Sequence, residues 1–98
     1  MLTDRTFAAV SDPVRRDILL LLRGGPMPAG QIGRHFDITG AAISYHLRLL
    51  RENALVLETR QRNFIYYRIN TETMAELAEY FTSFTYIPRQ TEQNMGGT

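Results

Sequence analysis

The sequence predicts a mainly α fold with one β-hairpin wing, about five helices and two strands, and three observations carry that prediction. Between Gly30 and Val56 two apolar-periodic segments are separated by Asp37-Ile38-Thr39, which breaks the pattern. Two β-prone runs, LVLETR and FIYYRI, then flank the polar Gln61-Arg62-Asn63. Apolar residues also recur at helical spacing before this stretch and after it. Helix, tight turn, helix and hairpin in that order make a winged helix-turn-helix.

Thr3 to Val10 forms the first predicted helix, with Leu2, Phe7 and Val10 apolar. Ser11 or Asp12 can cap the second, and Pro13 suits its first turn, where a missing N–H costs nothing. That helix runs to about Arg23 with Val14, Ile18, Leu21 and Leu22 inward, and Gly24-Gly25-Pro26 stops it. Met27-Pro28 is a connector with room for one or two extended residues. The third helix covers about Ala29 to Phe36, with Ile32 and Phe36 at i, i+4 and His35 near its end, where the dipole favours it.

Thr39 caps a fourth helix reaching about Asn53. At 100° per residue, Ala42, Ile43, His46, Leu47, Leu49 and Leu50 share one arc, and Gly40, Ala41, Ser44, Tyr45, Arg48, Arg51 and Glu52 the other. The hairpin strands are Leu55 to Arg60 and Phe64 to Ile69, with Asn63 as the residue suited to a left-handed turn position. Asn70 or Thr71 caps a last helix to about Thr85, whose stripe of Met74, Leu77, Ala78, Phe81 and Phe84 is widened by Tyr80. One domain over residues 1–87 is expected, followed by a polar, disordered tail over residues 88–98.

The polar arc of the fourth helix carries the functional signal. Small residues such as Ala41 near its start let backbone approach a groove closely, and Ser44, Tyr45 and Arg48 can bond base edges or phosphates. Gln31 and Thr39, near helix N-termini, suit phosphate, and Arg60 and Arg62 of the wing suit the backbone or the adjacent minor groove. The bland alternative is an amphipathic surface helix whose polar face meets only water. Charge favours the DNA reading: the formal net charge is +1, but residues 30–70 carry +3 and residues 71–98 carry −3. Every basic side chain is arginine, suited to bidentate contacts, although codon bias explains that equally well.

Other function classes find little support. Without cysteine there is no disulfide, thiolate metal site or thiol switch. No apolar run approaches the roughly 20 residues of a membrane span and no signal-peptide pattern is present, so a cytoplasmic protein is expected. Ser44 and His46 are two apart on a helix and point in different directions, and no phosphate-cradling loop occurs, so no enzyme is expected. At 98 residues the core is limited, and self-association would help it.

SDPVRRDILLLL, ISYHLRLLRENALV and FIYYRIN, in this order and spacing, resemble the ArsR/SmtB family of bacterial winged-helix repressors over about Phe7 to Phe84. Among its branches the chain is most similar to the SdpR-like autorepressors, which lack metal-binding cysteines. The resemblance implies a homodimer, joined through first and last helices, that binds a palindromic operator. Leu2, Phe7, Met74, Leu77, Phe81 and Phe84 are then the interface residues. The chain departs from the family's metal motifs, since the cysteines and the last-helix histidines are missing; no metal and no cofactor are expected. His46 falls on the core arc, where a hydrogen-bonded structural role is expected. The family's usual wing-tip glycine is replaced by Arg62. The SdpR-like resemblance also suggests release by a sequestering protein partner. Two rivals remain: a protein-interaction module using Tyr66 and Tyr67, and a repressor released by a small apolar ligand beside Tyr80, Phe81 and Phe84.

Overall fold

Local capping chemistry sets most of the element boundaries in the computed structural model, which describes residues 1–87. Helix α1 (Asp4–Val10) opens with a capping box: the Thr3 hydroxyl accepts from the Thr6 N–H, and the Thr6 hydroxyl accepts from the Thr3 N–H. Helix α2 (Pro13–Leu22) has Pro13 in its first turn, and the Asp12 carboxylate accepts from the Arg15 N–H at 3.0 Å. Gly25, at φ +127°, reverses the chain after it. Strand β1 (Met27–Pro28), helices α3 (Ala29–Gly33) and α4 (Gly40–Glu52), strands β2 (Val56–Gln61) and β3 (Phe64–Ile69), and helix α5 (Thr71–Ser83) complete the fold.

The sheet is antiparallel with order β1-β3-β2, so it has three strands where the sequence predicts two. The extra strand is Met27 paired with Tyr67 and Pro28 with Tyr66. It is too short to carry a periodic signal, and Pro28 is tolerated because it lies on the sheet edge. Strand β2 pairs β3 from Val56–Ile69 to Gln61–Phe64, which leaves Arg62-Asn63 as a two-residue turn. The left-handed residue there is Arg62, at φ +57°, and not Asn63.

Helix α3 also ends earlier than predicted. Beyond Gly33 the His35 and Phe36 N–H groups donate to the Ile32 and Gly33 carbonyls three residues back, tightening the chain into turns. The link to α4 therefore spans Arg34 to Thr39, and His35 lies outside the helix it was expected to end. Phe36 still packs against the core.

Helix α4 ends in a Schellman motif. The Leu55 N–H donates to the Leu50 carbonyl at 2.8 Å, the Ala54 N–H donates to the Arg51 carbonyl at 3.0 Å, and Ala54 sits at φ +58°. This turn drops Leu55 and Val56 straight into the core beside Ile18, Ile32, Leu47 and Leu50, all six essentially inaccessible. Ala9, Leu22, Ile43 and Leu77 complete that cluster, so every helix contributes to one core. Thr6 and Thr73 are the buried polar side chains, and among the described residues no buried side-chain polar atom lacks a partner. Residues 88–98, where a disordered tail was expected, lie outside the described residues.

Candidate nucleic-acid interface

Helix α4 is amphipathic in the register its sequence predicts. Ile43, Leu47 and Leu50 are buried, and Ala42, His46 and Leu49 are half-buried. The whole opposite arc, Gly40, Ala41, Ser44, Tyr45, Arg48, Arg51 and Glu52, is exposed. Thr39 opens the helix by accepting from the Ala42 N–H at 3.0 Å. That bond uses a lone pair of the hydroxyl and leaves its O–H free to donate outward. Gln31 is exposed on α3, and between α3 and α4 lies a groove of about 370 Å³ whose walls include Gly30, Arg34, Gly40 and Ser44.

Within the exposed arc, the Arg48 guanidinium lies 5.5 Å from the centroid of the Tyr45 ring. The ring face attracts the cation and narrows the directions in which Arg48 can reach. Arg51 behaves differently. Its Nη1 stands 3.4 Å from Glu58 Oε1 on β2 and its Nη2 3.9 Å from Glu52 Oε2, so it braces the wing against α4 instead of facing outward alone. Tyr67, opposite Glu58 in the sheet, has its phenol pKa raised, first by burial and then by the Glu58 carboxylate.

The wing divides its side chains by register. Val56, Glu58, Arg60, Ile65, Tyr67 and Ile69 share one face, while Leu57, Thr59, Gln61, Phe64, Tyr66 and Arg68 share the other. Arg60 and Arg62 are both exposed, and among the described residues neither makes a side-chain hydrogen bond or ion pair; the same holds for Arg48. Arg34 and Arg68 are exposed as well, and sequence reasoning counted them in the charge without assigning them to the site. Their signal was position: Arg34 follows the first helix of the pair and Arg68 lies on the wing.

His46, on the inner arc, anchors α4 to the N-terminal helices. Arg15 Nη1 donates to His46 Nδ1 at 3.1 Å, and Arg15 Nε donates to the Ala9 carbonyl at 2.7 Å. Asp12 Oδ2 stands 3.9 Å from the same ring nitrogen. The Arg15 backbone N–H, with the Arg15 charge adding to it against the opposing effect of burial, holds the Asp12 carboxyl below its ordinary range. This is the structural histidine expected from its place on the arc.

The predicted interface residues do not form one patch. Phe7 meets Tyr80 and Phe81 with ring centroids 5.0 and 6.0 Å apart, and Phe84 stacks edge-on against Tyr80 at 5.2 Å. Phe81 and Phe84 remain 54% and 70% exposed, and Tyr86 and Ile87 prolong that surface. Leu2 is half-buried against the core. Leu77, by contrast, is 8% exposed and packs within its own domain, and Met74 is half-buried beside Leu19, Leu20 and Ile69. Among the described residues no three His, Asp or Glu side chains converge to hold a metal ion, and no helix is long and apolar enough to cross a membrane.

Comparison with known proteins agrees with this geometry. Residues 10–60 match the model of a helix-turn-helix domain. The chain is 41% identical to the transcriptional repressor SdpR of Bacillus subtilis (strain 168), over 83% of this chain and 90% of that one. It superposes on the crystal structure of a "possible transcriptional regulator for arsenical resistance" with TM-score 0.76 and 29% identity, covering 99% of this chain and 98% of that one. It also matches the solution structure of a homodimeric winged helix-turn-helix DNA-binding domain from Mycobacterium bovis, a possible ArsR-family regulator, with TM-score 0.70 and 27% identity over 84% of this chain and 76% of that one. These proteins are regulators by name, in line with the expectation of a regulator and not an enzyme.

Proposed function

Because the chain belongs to the ArsR/SmtB family of winged helix-turn-helix transcriptional repressors, we propose that it acts as a homodimer on a palindromic operator, without metal sensing through the family's usual sites. One observation carries the reading: the exposed arc of α4 and the wing present Arg48, Arg60 and Arg62, none of them with a side-chain hydrogen bond or ion pair among the described residues. Guanidiniums without partners gain from phosphate or guanine what they do not already have at home.

In this arrangement α4 enters the major groove. Arg48, aimed by the Tyr45 ring, bonds guanine O6 and N7, and Ser44 and Tyr45 bond neighbouring base edges. Ala41 lets the start of α4 come close. The free O–H of Thr39 and the exposed Gln31 amide donate to phosphate, and Arg34, at the end of α3, joins them beside the groove between α3 and α4. Arg60 and Arg62 neutralise backbone charge beside the site. The dimer forms through α1 and the outer end of α5, where Phe7, Tyr80, Phe81 and Phe84 cluster. The SdpR-like resemblance of the sequence supports an operator upstream of the protein's own gene, that is, an autorepressor.

The test is a salt series of binding to that DNA and to random duplex, with EDTA and with zinc. Arg48→Ala is expected to weaken specific binding by about 1–3 kcal/mol and relax preference at one base pair. Arg62→Ala is expected to weaken both DNAs alike and lower the salt slope by about 1. Neither EDTA nor zinc should alter the wild-type curve. Equal losses on operator and random DNA for Arg48→Ala would remove it from base reading, and abolition by zinc would overturn metal independence.

A further inference from the structure

An apolar groove on the described surface takes no part in the proposed DNA binding. It lies between the outer face of α2, the end of β3 and the first turns of α5, with a volume of about 410 Å³. Leu19, Leu20, Ile69 and Met74 form its floor and walls, and Leu20 is 56% exposed. That volume falls within the roughly 300–1,000 Å³ of small-molecule sites.

The rim is charged in a particular order. Arg16, Leu19, Leu20 and Arg23 stand at i, i+3, i+4 and i+7 on α2 or its cap, so two guanidiniums bracket the two leucines on one helix face. Arg16 is occupied, because its Nη1 donates to the Val10 and Ser11 carbonyls at 3.0 and 2.8 Å. Arg23 is exposed and makes no side-chain hydrogen bond or ion pair among the described residues. Asp17, the one carboxylate at the rim, is six residues from Arg23, about 9 Å along the helix axis. An anionic head therefore belongs at the Arg23 end, with an apolar body running toward Leu20 and Met74.

We propose that this groove binds a free amphiphile with a carboxylate head and an unbranched aliphatic tail, and that the ligand acts as an effector of DNA binding. The head pairs with Arg23, and the tail covers Leu20, Ile69 and Met74. The groove touches the three parts that set the DNA-reading geometry. Helix α2 packs against α4, β3 is the inner strand of the wing sheet, and α5 carries the aromatic dimer surface. A tail wedged between α2 and α5 shifts α4 and the wing relative to the dimer contact. The effector role rests on the repressor function proposed above, whereas the binding site itself does not.

The full chain is titrated with dodecanoate below its micellar range by calorimetry without DNA, alongside dodecanol and dodecylamine. Saturation at one dodecanoate per chain is expected, with dodecanol at least tenfold weaker and dodecylamine weaker still. Arg23→Gln should reduce dodecanoate to the dodecanol level, and Leu20→Asp, at an exposed helical position, should abolish binding of both while circular dichroism stays unchanged. Dodecanoate should then change operator affinity at least fivefold in the wild type and not in Leu20→Asp. Absence of saturable binding, or binding indifferent to both substitutions, overturns the site. Saturable binding that leaves operator affinity unchanged overturns the effector role. If the protein binds no DNA, the repressor function falls while calorimetry still decides the site.

Discussion

Ala54 turns the chain out of α4 in a left-handed conformation, φ +58°, that a Cβ disfavours by roughly 1–2 kcal/mol. It persists because the two Schellman bonds and the buried Leu55 lock the turn. Ala54→Gly is expected to stabilise the fold by about 0.5–1 kcal/mol, since relief of strain exceeds the added flexibility of the unfolded chain. Urea unfolding should show a higher midpoint with an unchanged slope; an unchanged midpoint would mean the turn is not strained. Asp12 gives a second test. Its carboxylate caps α2, so Asp12→Ala should cost about 1 kcal/mol near neutral pH. The folded pKa is depressed below 3.8, so this stabilisation is present above that value and is lost as pH falls through the lower folded pKa. Unfolding curves of the two proteins should converge in acid, and a gap that widens there would refute the linkage.

The wing joins stability to function in one residue. Arg62 holds the left-handed turn position that glycine occupies more cheaply, and it presents an unpaired guanidinium at the tip. Arg62→Gly is therefore expected to raise unfolding stability by about 1 kcal/mol while lowering the salt slope of DNA binding by about 1. Unfolding and binding measured on the same variant check both, and a fall in stability would show that the turn prefers arginine for another reason. The wing and α4 were largely legible in the sequence because period 2 and period 3.6 are strong local signals, and the capping roles of Thr39 and Asp12 follow from residue type. Strand β1 was not, because two residues define no period and only pairing with Tyr66 and Tyr67 makes them a strand. The early end of α3 depends on the turn bonds after Gly33, and the choice of Arg62 over Asn63 depends on strand register. The place of Arg51 on the exposed arc was legible because it follows from helical period, while its tie to Glu58 is tertiary and was not. The groove at Leu20 needs three elements far apart in sequence, so no pattern could announce it.

Across the whole molecule, charge and apolar surface are separated. Residues 30–70 carry the positive excess, and the last helix carries acidic side chains with an aromatic end. A single α4 reaches only a few base pairs, and a palindromic operator needs two of them about 34–36 Å apart on one face of the duplex. The aromatic cluster at the outer end of α5 is the surface that can fix this spacing. Phe84, 70% exposed and stacked on Tyr80 at 5.2 Å, contributes little to its own core and much to any partner that covers it. Phe84→Glu places a charge in the proposed contact, where its desolvation opposes association without disturbing the monomer fold. The variant is expected to be a monomer at micromolar concentration by light scattering, with an unchanged circular dichroism spectrum. Losing the second reading head should lower operator affinity by roughly 10²–10⁴-fold, because the tethered second contact supplies that factor. Binding to a duplex carrying one half-site should change far less, since each α4 keeps its own contacts. A folded Phe84→Glu protein that remains dimeric would move the interface off this end of α5.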